Sequence, residues 1–460
     1  MHFEVVILGA GSAGEYIATT LAQAGRSVAL IEKLRVGGEC AYVSCIPSKA
    51  MLRSTQVRNI AKNLVSLGGA SREVVLDDDQ DGFRAAAERR DRIAEFRDDT
   101  TTAARAAKMG VQLFRGNGVF TGVDRIEVGQ EELSWNDIIL ATGSTSTIPE
   151  IEGLDEIEYW TSDVALSVLE RPKSVLIVGG GPVGCELAQI FSRFGAETFI
   201  VQFSDQLAGK EHPEIAMRLA ENLRAEGVKI ILNTNVIKVE QTSDNQVLVL
   251  LSDQSSHKVE RVIIAAGRHP NTKEIGIELL GIALTDEGAV QVDDHCRVVG
   301  QDHVWAAGDV TGVAPFTHTA NYQGRIIANN LMGVNEVADY SAIPRAIYTD
   351  PPLASVGIMK STEHEDGLIT AQSELSQGMR NVTDGSGGGL VILTADPVRG
   401  ILVGASAIGP QADEWISEAT LAIRAKIHLS ILSDVVHAFP TYGESFEEVV
   451  RKLYTQVQLP

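Results

Sequence analysis

Val5-Val6-Ile7-Leu8-Gly9-Ala10-Gly11-Ser12-Ala13-Gly14, near the amino terminus, is an apolar run that passes directly into a Gly-x-Gly-x-x-Gly turn. The run reads as a buried strand, and the turn as the entry to a helix over Gly14 to Ala24. A second apolar strand follows, Ser27-Val28-Ala29-Leu30-Ile31-Glu32. Each glycine has its own task in such a βαβ unit. Gly9 allows the tight turn, Gly11 lets the backbone approach a pyrophosphate, and Gly14 lets the helix pack close to its strand. Glu32, ending the second strand, is placed to accept hydrogen bonds from a ribose. A purely structural glycine turn is the alternative, but strand, helix and acid together favour a dinucleotide.

The pattern recurs. Ser174-Val175-Leu176-Ile177-Val178 leads into Gly179-Gly180-Gly181-Pro182-Val183-Gly184, then a helix, then the strand Thr198-Phe199-Ile200-Val201. Gly179, Gly181 and Gly184 repeat the roles of the first three glycines. At the end of this strand stands Gln202, neutral where NAD-selective sites usually carry a carboxylate, so repulsion of a 2′-phosphate is removed. No Arg follows closely and Lys210 is the nearest cation along the chain, which leaves NADH and NADPH both open with a lean to NADPH.

Outward from these units, Phe83 to Lys108 has helical spacing of Ala, Arg and Glu, and Asp77-Asp78-Asp79 before it reads as a solvated loop. Ile138-Ile139-Leu140-Ala141-Thr142-Gly143 reads as another apolar strand and turn. Beyond Asp309, short strands punctuated by Gly and Pro (343–357, 390–394, 400–408) alternate with helices. They form a separate α+β domain from about residue 337, with Gly387-Gly388-Gly389 as a turn into one of the strands.

The 460 residues allow several domains, and 39 Lys and Arg against 61 Asp and Glu give a net charge of −22. That charge repels nucleic acid and anionic membrane, so any nucleotide must be held by helix N-termini, backbone amides and a few placed cations. The amino terminus runs straight into the first strand, and no stretch approaches the roughly 18 apolar residues of a membrane span. A cytoplasmic protein is expected. Four cysteines are too few for a disulfide framework, and two of them, Cys40 and Cys45, lie close enough in sequence to form a redox pair.

Those two sit in Gly37-Gly38-Glu39-Cys40-Ala41-Tyr42-Val43-Ser44-Cys45-Ile46-Pro47-Ser48-Lys49. Pro47 marks a helix N-terminus near Cys45, where the helix dipole stabilises a thiolate, aided by Lys49 if that side chain turns inward. The other reading is two buried structural cysteines. Cys185 and Cys296 read as a helix-packing residue and a strand residue.

This segment resembles the active-site signature of the flavoprotein disulfide reductases related to dihydrolipoamide dehydrogenase, glutathione reductase and mercuric reductase. The similarity extends over the whole chain. It includes Ala141-Thr142-Gly143, Ala266-Gly267-Arg268-His269-Pro270-Asn271-Thr272, Ala306-Ala307-Gly308-Asp309, Ile347-Tyr348-Thr349-Asp350-Pro351 and Ala354-Ser355-Val356-Gly357. The resemblance implies an α/β fold of two Rossmann-like dinucleotide-binding domains plus a C-terminal α+β dimerisation domain. It places an FAD-binding domain at 1–148 and 271–336, an NAD(P)-binding domain at 149–270 and an interface domain at 337–460. It further implies FAD, NADPH or NADH, a homodimer, and electron flow through the flavin to the Cys40/Cys45 disulfide and on to a small-molecule acceptor. Cys45 becomes the flavin-proximal charge-transfer thiol and Cys40 the interchange thiol. Lys49 and Glu186 become an ion pair beside the flavin. Asp309 becomes a ligand of the FAD ribityl chain, with Gly143, Gly267 and Ala320 also at cofactor positions. Read alone, Lys49 and Glu186 are an ordinary surface pair of residues and Asp309 a turn carboxylate.

One departure bears on chemistry. The family's partner-subunit His-Pro, with a Glu four residues after the Pro, corresponds here to Phe439-Pro440 and Glu444. Phe439 cannot take a proton, and general acid-base help worth about 10²–10⁴-fold is lost unless another group supplies it. His437 lies two residues earlier, about 6–7 Å away in an extended chain. It is either a substitute base or a structural histidine. A similar Phe occurs in the branch resembling 2-ketopropyl-coenzyme M oxidoreductase/carboxylase, which also replaces the Glu retained here. A flavin-level reductase of a quinone or metal ion is another reading. Mercuric reduction is disfavoured because the carboxyl-terminal segment Tyr454–Pro460 carries no cysteine pair.

Overall fold

The computed structural model describes residues 1–358 and 367–458. Two compact units divide the chain: Met1–Pro47 with Arg90–Thr147 and Gly267–Asp339, and Ser48–Arg89 with Ile148–Ala266 and Tyr340–Pro460. Leu459 and Pro460 of the carboxyl-terminal segment lie outside the described residues, as does the stretch 359–366 of the interface domain.

In the first unit, the strands Gln112–Arg115, Val28–Glu32, His2–Leu8 and Glu131–Leu140 lie side by side in parallel. Arg125–Val128 and Gly118–Gly122 extend the sheet in antiparallel fashion. Val304–Ala306 pairs with the far end of Glu131–Leu140. Alternation along the first strand sends Val5 and Ile7 into one core, with Ile17, Leu21 and Ile326, and Val6 and Leu8 into another, with Phe120 and Leu140. A strand buried on both faces must be apolar at every position, which is why this one reads as a continuous run.

The second unit repeats the design with four parallel strands in the order Lys229–Ile231, Glu197–Val201, Ser174–Val178 and Arg261–Ile264. An antiparallel ribbon of three strands spans Val236–Val259. The same unit holds a five-stranded antiparallel sheet, Arg345–Ile347, Leu353–Gly357, Ile401–Ile408, Leu390–Asp396 and Ile369–Glu374, with the helices Ala412–Arg424 and Gly443–Gln458 packed on its core. Gly389, at the turn into one of these strands, admits no side chain, because a Cβ there meets the Ile408 carbonyl oxygen at 2.2 Å.

Three local expectations are corrected. The helical stretch from Phe83 to Lys108 is two helices, Asp79–Ile93 and Thr100–Lys108, parted where Glu95, Phe96 and Arg97 all take positive φ. Asp77-Asp78-Asp79 is more than a solvated loop. Asp78 Oδ1 accepts from the amides of Gln80 and Asp81, capping the helix that Asp79 begins, and Asp79 pairs with Arg58 at 3.0 Å. Cys296 is no strand residue: it lies in a bend with φ of 64° and is fully buried. No helix among the described residues is long and apolar enough to cross a membrane.

Candidate active site

The two glycine turns share one geometry. Gly9 has φ of 102°, and a Cβ there would stand 2.2 Å from the Ala141 carbonyl oxygen; at Gly14 it would stand 1.9 Å from the Gly9 oxygen. Their counterparts Gly179 and Gly184 meet the Ala265 and Gly179 oxygens at 2.3 and 2.0 Å. These four glycines are explained by the fold itself. Gly11 and Gly181 are not. Both have extended backbones open to any residue, with φ of −69° and −75°, and a Cβ on either touches nothing within 4 Å. Each caps a helix, Ser12–Gln23 or Pro182–Arg193, without a side-chain cap. A glycine where the fold tolerates any residue, at a helix N-terminus, is what a closely approaching pyrophosphate requires, and on this ground both turns fit a dinucleotide.

The residues ending the second strands match as well. Buried Glu32 accepts from the Ala10 amide at 2.8 Å through one carboxylate oxygen and from Leu34 at 2.6 Å through the other. Gln202 Oε1 accepts from the Gly180 amide at the same 2.8 Å, and its Nε2 donates to Ser204 Oγ at 2.6 Å. Gln202 thus occupies the acid's place and keeps its hydrogen bond without the charge. Lys210 is exposed.

The cysteine segment is folded onto the first turn. The Gly37 amide donates to the Ala10 carbonyl at 2.8 Å, and a Cβ on Gly38 would lie 2.8 Å from Gly11 Cα. Gly37 and Gly38 both take positive φ, which brings the short helix Gly38–Tyr42, with Cys40 on it, close against the turn. Cys45 is the first residue of the helix Cys45–Lys62, as Pro47 implies. Both sulfurs converge on one hydroxyl. Thr317 Oγ1 donates to Cys40 Sγ at 3.1 Å and lies 3.5 Å from Cys45 Sγ. Thr317 opens the helix Thr317–Leu331, on which buried Ala320 also lies.

Beside the cysteines runs a polar chain. Arg268 Nη2 donates to Glu39 Oε2 at 2.6 Å and Arg268 Nε to Ser144 Oγ at 2.7 Å, and Ser144 donates to Asp309 Oδ2 at 2.6 Å. Asp309 is thereby an oriented carboxylate rather than a free turn residue. Gly143 and Gly267 flank this chain with positive φ and open space where a side chain would project. Thr317 and Ser144 carry no signal in the sequence that marks them as site residues, and Glu39 and Arg268 stand in the quoted motifs without a role; contacts with residues far away along the chain bring each of them in.

In the second unit, Lys49 and Glu186 form a pair. Lys49 Nζ donates to the two Glu186 oxygens at 3.0 and 2.9 Å and lies 4.5 Å from the centre of the Tyr348 ring. The carboxylate is nearly buried and also accepts from the Tyr348 amide at 3.0 Å. Glu186 is therefore no solvated surface group, and the half-buried Lys49 ammonium meets both its oxygens, and Ser48 Oγ at 3.3 Å. Cys185, next in the same helix, is fully buried, and burial with the adjacent Glu186 charge pushes its thiol up to about 12. It packs, donating to the Gly180 carbonyl, and offers no nucleophile.

His437 is held between two carboxylates, Nε2 against Glu418 and Nδ1 against Glu447, both at 3.0 Å, with its side chain 10% exposed. Burial disfavours its charge, but Glu418 and Glu447 outweigh burial and raise its pKa. Phe439, by contrast, is 72% exposed. It borders a cleft of about 570 Å³ together with Met379, Glu444, Glu447 and Arg451. Glu444 accepts from the Thr441 amide at 2.8 Å. The His437 ring thus bridges the helices Ala412–Arg424 and Gly443–Gln458 through these two carboxylates.

Two dinucleotide turns of one pattern, one of them packed against a paired-cysteine segment, define a class: oxidoreductases that carry electrons between a nicotinamide, a flavin and sulfur. Residues 3–324 match the pyridine nucleotide-disulphide oxidoreductase family and residues 343–450 its dimerisation domain, and the chain belongs to that family. It is 32% identical over 454 residues to dihydrolipoyl dehydrogenase of Chlamydia pneumoniae, covering 97% of this chain and 96% of the relative. It is 31% identical to mercuric reductase of Streptomyces lividans, covering 97% and 95%. Among solved structures, the Cu(II) complex of the HOCl-induced flavoprotein disulfide reductase RclA of Escherichia coli superposes with a TM-score of 0.86 at 28% identity, over 99% of this chain and all of that one. The protein is an FAD-dependent NAD(P)H disulfide oxidoreductase. The match to a dimerisation domain supports a homodimer.

Proposed function

We propose that Cys40 and Cys45 are the redox-active pair and that the protein passes electrons from NAD(P)H to a small-molecule acceptor through it. The observation that carries this reading is the convergence of both sulfurs on Thr317 in a segment seated against the Gly9–Gly14 turn. FAD supplies the step between hydride transfer and electron delivery to sulfur. We assign FAD binding to residues 1–148 and 271–336, with Glu32 on the ribose, Asp309 on the ribityl chain and Gly143, Gly267 and Ala320 alongside. NAD(P) binding falls to 149–270, and subunit contact to 337–460. Cys45, at a helix N-terminus, is the thiol nearer the flavin, and Cys40 is the one that meets the acceptor. The Lys49–Glu186 pair sets the charge beside the flavin.

Gln202 removes the charge that excludes a 2′-phosphate, so NADPH is accepted, with a lean over NADH. Gln202→Glu is expected to raise KM for NADPH about tenfold or more while sparing NADH, because one repulsive contact is restored. A reducing compartment, the cytoplasm, suits a dithiol kept ready by NAD(P)H.

With Phe439 in place of a base, the acceptor is one that needs little proton help at Cys40. Anaerobic reduction followed by thiol counting, then turnover with lipoamide, glutathione disulfide and a quinone, tests this reading. Two new thiols, slow disulfide turnover and loss of it in Cys45→Ser are expected. Brisk lipoamide turnover would show that another group does the base's work. A second reading, reduction of a metal ion, draws on the Cu(II) complex of RclA. It predicts NAD(P)H-dependent Cu(I) formation that a Cu(I)-specific chelator reports.

A further inference from the structure

Resting on the assignment of Cys40 and Cys45 as the redox pair, we propose that the Thr317 hydroxyl is a proton relay between the two sulfurs, taking over at close range part of what a base at position 439 would do. The geometry places one hydroxyl between two sulfurs. Thr317 Oγ1 donates to Cys40 Sγ at 3.1 Å and lies 3.5 Å from Cys45 Sγ, a contact in which either atom can be the donor. A hydroxyl is at once one donor and two acceptors, so it can stand in a row thiol, hydroxyl, thiolate without any change of rotamer of the cysteines. Thr317 is the first residue of the fifteen-residue helix Thr317–Leu331, where the backbone is fixed and the side chain has a defined direction.

Two-electron reduction of the disulfide leaves two sulfurs, and with one proton between them the pair is one thiol and one thiolate. When that proton is on Cys40, transfer runs as follows: the Cys40 S–H bond breaks as its proton passes to Thr317 Oγ1, and the original Thr317 O–H proton passes to the Cys45 thiolate. Cys45 becomes the thiol and Cys40 the thiolate. No electrons move and no external base is consumed. The reverse step restores the Cys45 thiolate. Cys40 thus becomes nucleophilic without a base at position 439, and the charge stays within the pair. The other titratable groups of the three helices that carry Cys40, Cys45 and Thr317 are Glu39, held by Arg268 at 2.6 Å; Tyr42, whose hydroxyl meets Thr102 at 3.2 Å; Lys49, Arg53, Arg58 and Lys62, further along the Cys45 helix; and His318, stacked on Phe316, with Tyr322 and Arg325 further along the Thr317 helix. Thr317 is the group among the described hydrogen bonds that reaches both sulfurs.

The test is site-resolved alkylation of the full-length flavoprotein, reduced anaerobically with excess NADPH and treated with iodoacetamide across a pH series, each cysteine being followed by peptide mass spectrometry. Thr317→Val and Thr317→Ala remove the hydroxyl at a partly exposed helix start, and Thr317→Ser keeps it. The midpoint for Cys40 alkylation is expected to rise by about one pH unit in both hydroxyl-free variants, since a hydrogen bond to the thiolate favours the charged form. Below the midpoint that is about a tenfold slower reaction at fixed pH. Thr317→Ser should restore the original midpoint, an outcome that simple packing at this site does not predict, because serine lacks the methyl group. An unchanged Cys40 midpoint in Thr317→Val and Thr317→Ala, each with flavin bound, overturns the relay. If neither cysteine of the unmutated protein gains reactivity on reduction, the redox-pair assignment itself fails and the relay falls with it.

Discussion

At the scale of single residues, carboxylates and their partners decide which predictions are sharp. Glu186 is nearly buried and accepts from both Lys49 and the Tyr348 amide. Replacing it with leucine removes an acceptor from two donors at once. Because the Lys49 side chain is 34% exposed and water takes over part of its solvation, the expected loss is modest, about 1–3 kcal/mol by urea unfolding. His437 gives a pH signature. Its pKa is raised in the folded chain, so its bridge to Glu418 and Glu447 contributes fully below the ordinary imidazole value of about 6.5, and the contribution fades as pH rises through the higher folded value. The stability difference between the protein and His437→Gln should therefore be largest below about pH 6.5 and shrink as the pH rises through the higher folded value of His437. A constant difference over that range would exclude the charged bridge. These residues also show what the sequence conceals. Lys49 with Glu186 could be paired only through a family pattern, since 137 positions part them, and the pairing of Thr317 with Cys40 spans 277. Contacts made by long-range closure leave no local spacing to read.

At the scale of elements, the reading succeeded where backbone sterics dictate residue type and failed where a single turn breaks a regular composition. The strand, glycine turn and helix were legible because burial on both faces forces an apolar run and close packing forces Gly9 and Gly14. The break at Glu95–Arg97 was not, since none of those residues is a usual left-handed former and the Ala, Arg and Glu composition continues through it. The same contrast yields a prediction. Gly9→Ala places a Cβ on the Ala141 carbonyl and should destabilise the fold outright. Gly11→Ala, which meets nothing within the chain, should leave the melting temperature of the flavin-free protein unchanged while weakening FAD retention at least tenfold, as followed by flavin fluorescence on dilution. Gly181→Ala should behave likewise for NADPH and leave FAD in place. Helix capping offers a third comparison: Asp78→Ala removes the acceptor for two amides of the helix Asp79–Ile93 and should cost about 0.5–2 kcal/mol, with Asp78→Asn recovering most of it.

At the scale of the whole molecule, net charge and local geometry act over different distances. A formal charge of −22 opposes the approach of a dinucleotide anion, and opposes NADPH more than NADH because the 2′-phosphate adds charge. The backbone amides of the Gly179–Gly184 turn and Gln202, proposed above to hold the nicotinamide dinucleotide, would act at hydrogen-bond range, where salt screens little. Salt shortens the reach of the global field from about 30 Å at 0.01 M to about 8 Å at 0.15 M. The second-order rate constant for reduction by NADPH should therefore rise with ionic strength over that range, and that for NADH should rise less, as measured by stopped-flow absorbance of the flavin. Most enzymes that steer an anionic substrate show the opposite slope, because a local cationic funnel outweighs the rest of the surface. A fall with salt here would mean that cations near the second turn dominate the approach. Lys210, exposed and the first basic residue after Gln202, is the side chain to examine in that case. Lys210→Gln would then flatten the salt dependence for NADPH and leave that for NADH little changed, which would assign the choice of nicotinamide to attraction at Lys210 rather than to the charge that Gln202 lacks.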